Sequence, residues 1–352
     1  MFKTLKDFSL ISKRVLVRCD FNVSLNEKGE ITDDFRIRQT IPTIQYLIDQ
    51  KARIILMSHL GEPDGKVVPE LKLDKVAERL AEYLSCPIAK EDDCVGAEIE
   101  GQSNSLEMGK ILLLENLRFH KEETEFIDFL PNLEFSKRLS YLGDIYVNDA
   151  FGVCHRNNAS VIGVSRLLPH CAGLLLEKEI ESLDKITNNP EKPMVVLVGG
   201  TKVETKAKFI NNISKMADYV LVSGLIAKEI AEKNIQFDHP EKIILPVGQL
   251  DAPDIDEESI KIFEEKILQA QTILWNGPFG KFEDKKYAKG TLAIANAIIQ
   301  SRALSVVGGG ETVEFLNKQG MIDKFSHVST GGGAMLSYLA GDVLPGLEAL
   351  ED

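Results

Sequence analysis

The sequence predicts an α/β chain of two domains, each built on a parallel sheet with helices covering both faces. Three observations lead there. Nine short, continuous apolar runs recur along the chain and end in polar or glycine-rich tips. Amphipathic stretches of helical period fall between these runs, and the chemistry of the tips changes near the middle of the sequence. Continuous apolar runs alternating with helices are what strands buried on both faces require. With 352 residues, 44% hydrophobic and 27% charged, there is enough chain for two cores of about 150 residues each.

The elements follow in order. Val15-Leu16-Val17 leads into Arg18-Cys19-Asp20-Phe21-Asn22, and residues 54–57 into Ser58-His59-Leu60-Gly61. Residues 111–114 then lead into Glu115-Asn116-Leu117-Arg118, and 145–147 into Asn148-Asp149-Ala150-Phe151-Gly152. Helices are expected at 38–50, from the spacing of Ile41, Ile44, Leu47 and Ile48, and at 73–84, from Val76, Ala77, Leu80, Ala81 and Leu84. A helix from Leu174, closed by Asn188-Asn189-Pro190 and Pro193, is expected to link the domains as a hinge, because proline cannot continue a helix. Beyond it, residues 195–198 meet Gly199-Gly200-Thr201-Lys202, 219–222 meet Ser223-Gly224, and 272–274 meet Trp275-Asn276-Gly277-Pro278. Residues 305–307 meet Gly308-Gly309-Gly310, and 327–328 meet the run from Ser329 to Gly333. The segment 341–347 is apolar enough to dock.

In parallel sheets ligands sit at the carboxyl ends of strands. The first half places Asp20, Asn22, Arg36, His59, Arg118, His155 and Arg156 near such ends. Guanidinium groups grip carboxylate and phosphate through paired hydrogen bonds, so this half suits a small anion. The second half suits a polyphosphate held by backbone: glycine permits close approach, and helix N-termini offer free N–H donors. Lys202 and Lys206, four apart after a strand, fall on one face of the first helical turns. Each feature has a plainer reading, as a solvated lysine pair, a tight glycine turn, or a buried tryptophan followed by a turn. Their coincidence favours two anionic ligands with transfer between them.

Composition narrows the class. A net charge of −13 argues against nonspecific nucleic-acid binding. No apolar stretch approaches the roughly 18 residues of a membrane span, and residues 1–7 lack a signal-peptide core, so a cytoplasmic location is expected. The five cysteines are widely spaced with no Cys-x-x-Cys pair, which favours buried free thiols over disulfides or zinc. Neither the lysine-containing phosphate loop nor the Gly-x-Gly-x-x-Gly fingerprint occurs, so a dehydrogenase reading is weak.

These motifs, taken together, resemble the phosphoglycerate kinase family almost end to end. The likeness rests on 17–23, 32–37, Ser58-His59-Leu60-Gly61, 115–119, 147–152, 199–206, Trp275-Asn276-Gly277-Pro278 and 329–334. It implies two doubly wound domains: 1–173 binding phosphoglycerate, with 338–352 packing back on it, a hinge helix at 174–190, and 191–337 binding nucleotide. It also implies interconversion of 1,3-bisphosphoglycerate plus ADP with 3-phosphoglycerate plus ATP, in a monomer that needs no nucleic acid or membrane. Asp20, Asn22, Arg36, His59, Arg118, His155 and Arg156 would hold phosphoglycerate. Arg36, Lys202, Lys206, Gly332 and Gly333 would serve the group in flight. Gly200, Lys202, Lys206, Gly224, Asn276, Pro278, Glu283, Gly309, Gly310, Glu311 and Thr312 would bind ATP or ADP, with Mg2+ on Glu311.

The chain departs from the family pattern at several points. Glu62 stands where the family usually has arginine. Two unit charges about 4 Å apart interact by roughly 4 kcal/mol at an effective dielectric near 20, so Glu62 is expected to point away from bound phosphate or to pair with a basic neighbour. His155-Arg156-Asn157-Asn158 has asparagine where the family commonly has a second histidine, and Glu311 stands where aspartate is usual. The 224–275 segment is short, which bears on adenine recognition. A non-catalytic binding paralogue is therefore the alternative.

Overall fold

A computed structural model describes residues 2–127, 130–200 and 203–351, with side chains of the helix beginning at Val203 described from Lys206 onward. The chain divides into two compact units, residues 1–179 with 343–352, and residues 180–342.

The first unit holds a six-stranded sheet in the order His170–Ala172, Ile145–Asn148, Arg14–Arg18, Arg53–Met57, Ile111–Leu113, Ile88–Lys90. Every pairing in it is parallel. The register aligns Arg18 with Met57 and with Asn148, so the tips that follow those three strands leave the sheet at one level. Val15, Val17, Ile54 and Leu56 are buried beneath helix Phe35–Asp49 with Ile37, Ile44 and Leu47. Burial on both faces explains why these strands read as continuous apolar runs.

The second unit repeats the plan in the order Ile243–Ile244, Tyr219–Val222, Met194–Val198, Thr272–Asn276, Leu304–Gly308, His327–Val328, again with parallel pairings. Val198 is level with Asn276, and Asn276 with Gly308, which brings the glycine tips to one edge. In both sheets the strand that comes first in the unit, Arg14–Arg18 or Met194–Val198, lies in the interior, and the strand order reverses beside it, as doubly wound sheets do.

All nine apolar runs are strands. The other three strands of the two six-stranded sheets, at 88–90, 170–172 and 243–244, are all sheet edges. The first helix begins at Phe35 rather than at 38, because Asp33 Oδ1 accepts the Phe35 N–H at 3.0 Å and fixes an earlier entrance. Helix Leu174–Thr187 starts in the first unit, where Asp149 Oδ1 accepts the Leu175 and Leu176 N–H groups at 3.0 and 3.3 Å. The division between units falls within this helix, after Glu179. The terminal segment docks on the first unit: Gly346 N donates to Cys154 O at 2.8 Å, and Asn148 Nδ2 donates to Gly346 O at 3.3 Å. A Cβ on Gly346 would lie 2.8 Å from Cys154 Cα, so only glycine allows this approach.

All five cysteines are free, and four are buried. Among the described residues no helix is long and apolar enough to cross a membrane.

Candidate active site

In the first unit the tips after Arg18 and Met57 are stitched together before any ligand is considered. Ser58 Oγ accepts the Phe21 N–H at 2.8 Å, and Asn22 Oδ1 accepts the Gly61 N–H at 2.9 Å. Asn116 closes the third side: its Nδ2 donates to Leu60 O at 2.7 Å and its Oδ1 accepts the Leu60 and Arg118 N–H groups. Arg36 reaches this assembly from the first turn of its helix, with Nη1 donating to Asn22 O at 2.5 Å and Nε 3.7 Å from Asp20. Arg118 Nη1 donates to Gly61 O at 2.8 Å. Thus Asp20, Asn22, Arg36, His59 and Arg118 share one locus.

His59 is buried, and burial followed by the surrounding Arg18, Arg118, Arg36 and Arg156 guanidiniums holds its pKa well below the usual imidazole value. It is therefore neutral at pH 7, a hydrogen-bonding group among cations. Burial likewise lowers the pKa of Arg118, and its Nε and Nη2 are buried with no hydrogen-bond partner. Buried donors of this kind are costly unless something fills them, which marks the locus as an anion site. His155 is also depressed, by burial and then Arg156, and its Nδ1 is a further orphan. Glu62 takes the paired alternative, 2.7 Å from Arg118 and 3.8 Å from Arg156.

Two supporting residues were not singled out from the sequence as site residues. Arg18 is fully buried, donating from Nε to Ser160 Oγ at 2.8 Å, with Nη2 3.3 Å from His59 Nδ1. Glu123, equally buried, lies 3.7 Å from Arg18 and accepts from Ser160 N, Ser160 Oγ and Asn158 Nδ2. Arg18 was visible as the last residue of its strand. Glu123 sits in a run of surface-like acidic residues, and nothing in that run distinguishes it.

In the second unit the loops after Val198 and Asn276 touch backbone to backbone. Gly199 N donates to Asn276 O and Gly200 N to Pro278 O, each at 2.8 Å. A Cβ on Gly277, whose φ is +95°, would lie 2.1 Å from Gly199 O. Thr312 Oγ1 accepts the Gly277 N–H at 2.9 Å, so this side chain holds the loop. Lys206 is buried with Nζ donating to Gly199 O, beside Gly200. The position a Gly200 Cβ would take is 2.8 Å from Lys206 Nζ and 3.6 Å from Glu311 Oε2. Helix Gly332–Leu339 begins against Gly309, where a Cβ on Gly332 would lie 2.8 Å from Gly309 Cα. Asn276 Nδ2 is a buried orphan next to Gly309. A cavity of about 370 Å³ adjoins this edge, lined by Leu225, Val247, Ile255 and Phe279 together with Gly200, Gly224, Pro278, Glu283 and Glu311. Its apolar walls fit a planar base and its polar residues fit phosphates and ribose. Lys202 lies outside the described residues. Gly310 opens helix Gly310–Lys318, and Gly333 follows Gly332 in its own helix.

The family model for phosphoglycerate kinase matches residues 5–237 and 231–342. The chain belongs to the phosphoglycerate kinase family. Among similar curated proteins is the phosphoglycerate kinase of Dictyoglomus turgidum, 42% identical, with 99% of this chain and 98% of that protein covered. That of Moorella thermoacetica is also 42% identical, with 99% of each covered. Solved structures agree: phosphoglycerate kinase from Coxiella burnetii has TM-score 0.78 at 34% identity, covering 99% of each chain. The Pyrococcus horikoshii enzyme has TM-score 0.88 at 31% identity, covering 99% of this chain and 98% of that one. The alignment to the Dictyoglomus protein runs over 394 positions against 352 residues, so the gaps fall in this chain. The two stretches of the phosphoglycerate kinase model meet at 231–237, inside the segment expected to be short. This chain is a kinase of that glycolytic family, and the comparisons give no support to a dehydrogenase or a non-catalytic binding protein.

Proposed function

We propose that this chain transfers a phosphoryl group between 1,3-bisphosphoglycerate and ADP, and in reverse between ATP and 3-phosphoglycerate, with the acid on the first unit and the nucleotide on the second. The observation behind the first assignment is the buried, half-partnered Arg118 fork among Arg36, Arg156 and a neutral His59. A dianionic acid would satisfy those donors, and Asp20 and Asn22 would orient Arg36 and the loop at Gly61.

The nucleotide reading is supported by the cavity beside Gly200, by Lys206, and by the N-termini of helices at Gly310 and Gly332. N–H groups of a first helical turn have no intrahelical acceptor, and with the helix dipole they favour anions. Phosphoryl transfer asks for positioning and charge stabilisation more than covalent chemistry. The carboxylate that attacks is already ionised, so a general base is unnecessary. Lys206, with Lys202, Gly332 and Gly333, would neutralise charge on the group in flight, and Arg36 would meet it from the acid's side. Helix Leu174–Thr187 would act as the hinge that lets the site close and exclude water.

Magnesium fits Glu311, whose Oε2 lies 3.6 Å from the position a Gly200 Cβ would take, a point that Lys206 Nζ also adjoins. Among the described residues it belongs to no cluster of metal ligands, which suits an ion held by one carboxylate and by substrate phosphates. When bound, the ion neutralises polyphosphate charge. We place the enzyme in the cytoplasm as a monomer with small-molecule partners only. A coupled assay of ADP formation from Mg-ATP and 3-phosphoglycerate tests the reading. Turnover is expected, and a folded protein without turnover would contradict it.

A further inference from the structure

The Arg118 guanidinium holds an anion already. Glu62 Oε1 lies 2.7 Å from its Nη1, and the same oxygen is 3.8 Å from Arg156 Nη1. The arrangement is unequal: Arg118 is 3% exposed and fixed by Gly61 O, whereas Glu62 is 67% exposed. An exposed carboxylate therefore sits on the outer edge of a buried cation whose Nε and Nη2 lack partners. A static ion pair built for stability would use the fork bidentately. This one engages a single nitrogen and leaves two donors unfilled.

We infer that Glu62 is a tethered competitor for the substrate's phosphate at Arg118, an affinity-setting carboxylate that the incoming group must displace. The inference rests on the assignment of phosphoglycerate to this unit. Being three residues from His59 on the same loop, Glu62 presents its carboxylate at a high local concentration. A ligand offering only another carboxylate exchanges like for like at Arg118 and gains little. A phosphate dianion carries more charge and three acceptor oxygens, enough for the two unfilled donors as well. Glu62 thus lowers the affinity of every anion that must displace it by one common factor, set by how often it occupies Arg118.

The size of the effect follows from exposure. Exposed ion pairs are worth up to about 1 kcal/mol, so removing the competitor should tighten binding about fivefold. The test compares wild type with Glu62→Gln, Glu62→Ala, Arg118→Ala and the Glu62→Gln/Arg118→Ala double variant. Measured are KM for 3-phosphoglycerate at saturating Mg-ATP and the equilibrium affinity for inorganic sulfate. Both single changes at Glu62 are expected to lower KM and tighten sulfate about fivefold, and the gain should vanish when Arg118 is absent. No change or a weaker affinity in both Glu62 variants, or an equal gain without Arg118, would overturn the inference. Should wild type fail to turn over 3-phosphoglycerate, the functional assignment falls, and the sulfate affinities alone still decide the role of Glu62 by the same criteria.

Discussion

Glu123→Ala deletes the carboxylate that faces Arg18 at 3.7 Å, with both side chains wholly buried. It also ends hydrogen bonds from Ser160 Oγ at 2.6 Å, Ser160 N at 3.0 Å and Asn158 Nδ2 at 3.0 Å. A hydrogen bond contributes about 1 kcal/mol net, whereas removing one partner of a buried ion pair costs about 3–5 kcal/mol because the remaining charge is stranded. The stranded charge is therefore the larger effect, and we expect unit 1–179 to lose about 3–5 kcal/mol. Arg18 would also lose its anchor beside His59, so KM for 3-phosphoglycerate should rise. Trp275 is the single tryptophan and is buried in the other unit, so its fluorescence supplies an internal reference. Urea unfolding followed by circular dichroism should show the early loss, while the Trp275 transition moves by less than about 0.5 kcal/mol. Glu123→Gln, which keeps an acceptor for Ser160, should fall between. A cost below about 1 kcal/mol for Glu123→Ala would refute the view that this pair supports the site.

Gly332→Ala puts a Cβ 2.8 Å from the Gly309 backbone, and backbone cannot swing aside as a side chain can. A displaced helix start should lower kcat by roughly tenfold to a hundredfold, and a kcat near wild type would show that this tip does not meet the reacting group. Asp149 is buried at the start of helix Leu174–Thr187 with Oδ2 unpartnered, and burial raises its pKa to about 7. A carboxyl raised in the folded state contributes stability that is full below its ordinary pKa near 3.8 and is lost as pH rises through about 7. Melting temperatures measured from pH 4 to 8 should therefore fall for wild type relative to Asp149→Asn, and parallel curves would contradict the assignment.

The central strands were legible because burial on both faces leaves a continuous apolar run such as Ile54 to Met57, which few other structures produce. The edge strands at 88–90, 170–172 and 243–244 offer no such run. In Ile88–Lys90 every residue keeps some exposure, and Ile243–Ile244 has only two residues. The acid-binding candidates were legible as charged residues following apolar runs, because a strand end fixes where its next few residues emerge. Glu123 was not, since its meaning comes from Arg18, more than a hundred positions away, and from burial that no local pattern encodes. The pairing of Glu62 was foreseeable from charge alone, but its one-sided hold on Arg118 depends on the loop that Asn22 and Asn116 shape. Thr312, read from the sequence as a nucleotide ligand, also accepts the Gly277 N–H, a loop-holding contact between distant residues that no local pattern shows.

The proposed division of labour puts the acid on one unit's guanidiniums and the nucleotide on the other's glycine edge. Calorimetric titration of Arg36→Ala and Lys206→Ala with 3-phosphoglycerate and Mg-ADP separately is its most direct test. Arg36→Ala should weaken 3-phosphoglycerate at least tenfold, about 1.4 kcal/mol, and leave Mg-ADP within about twofold, with Lys206→Ala showing the opposite pattern. Loss of Mg-ADP binding in Arg36→Ala with 3-phosphoglycerate unaffected would contradict it.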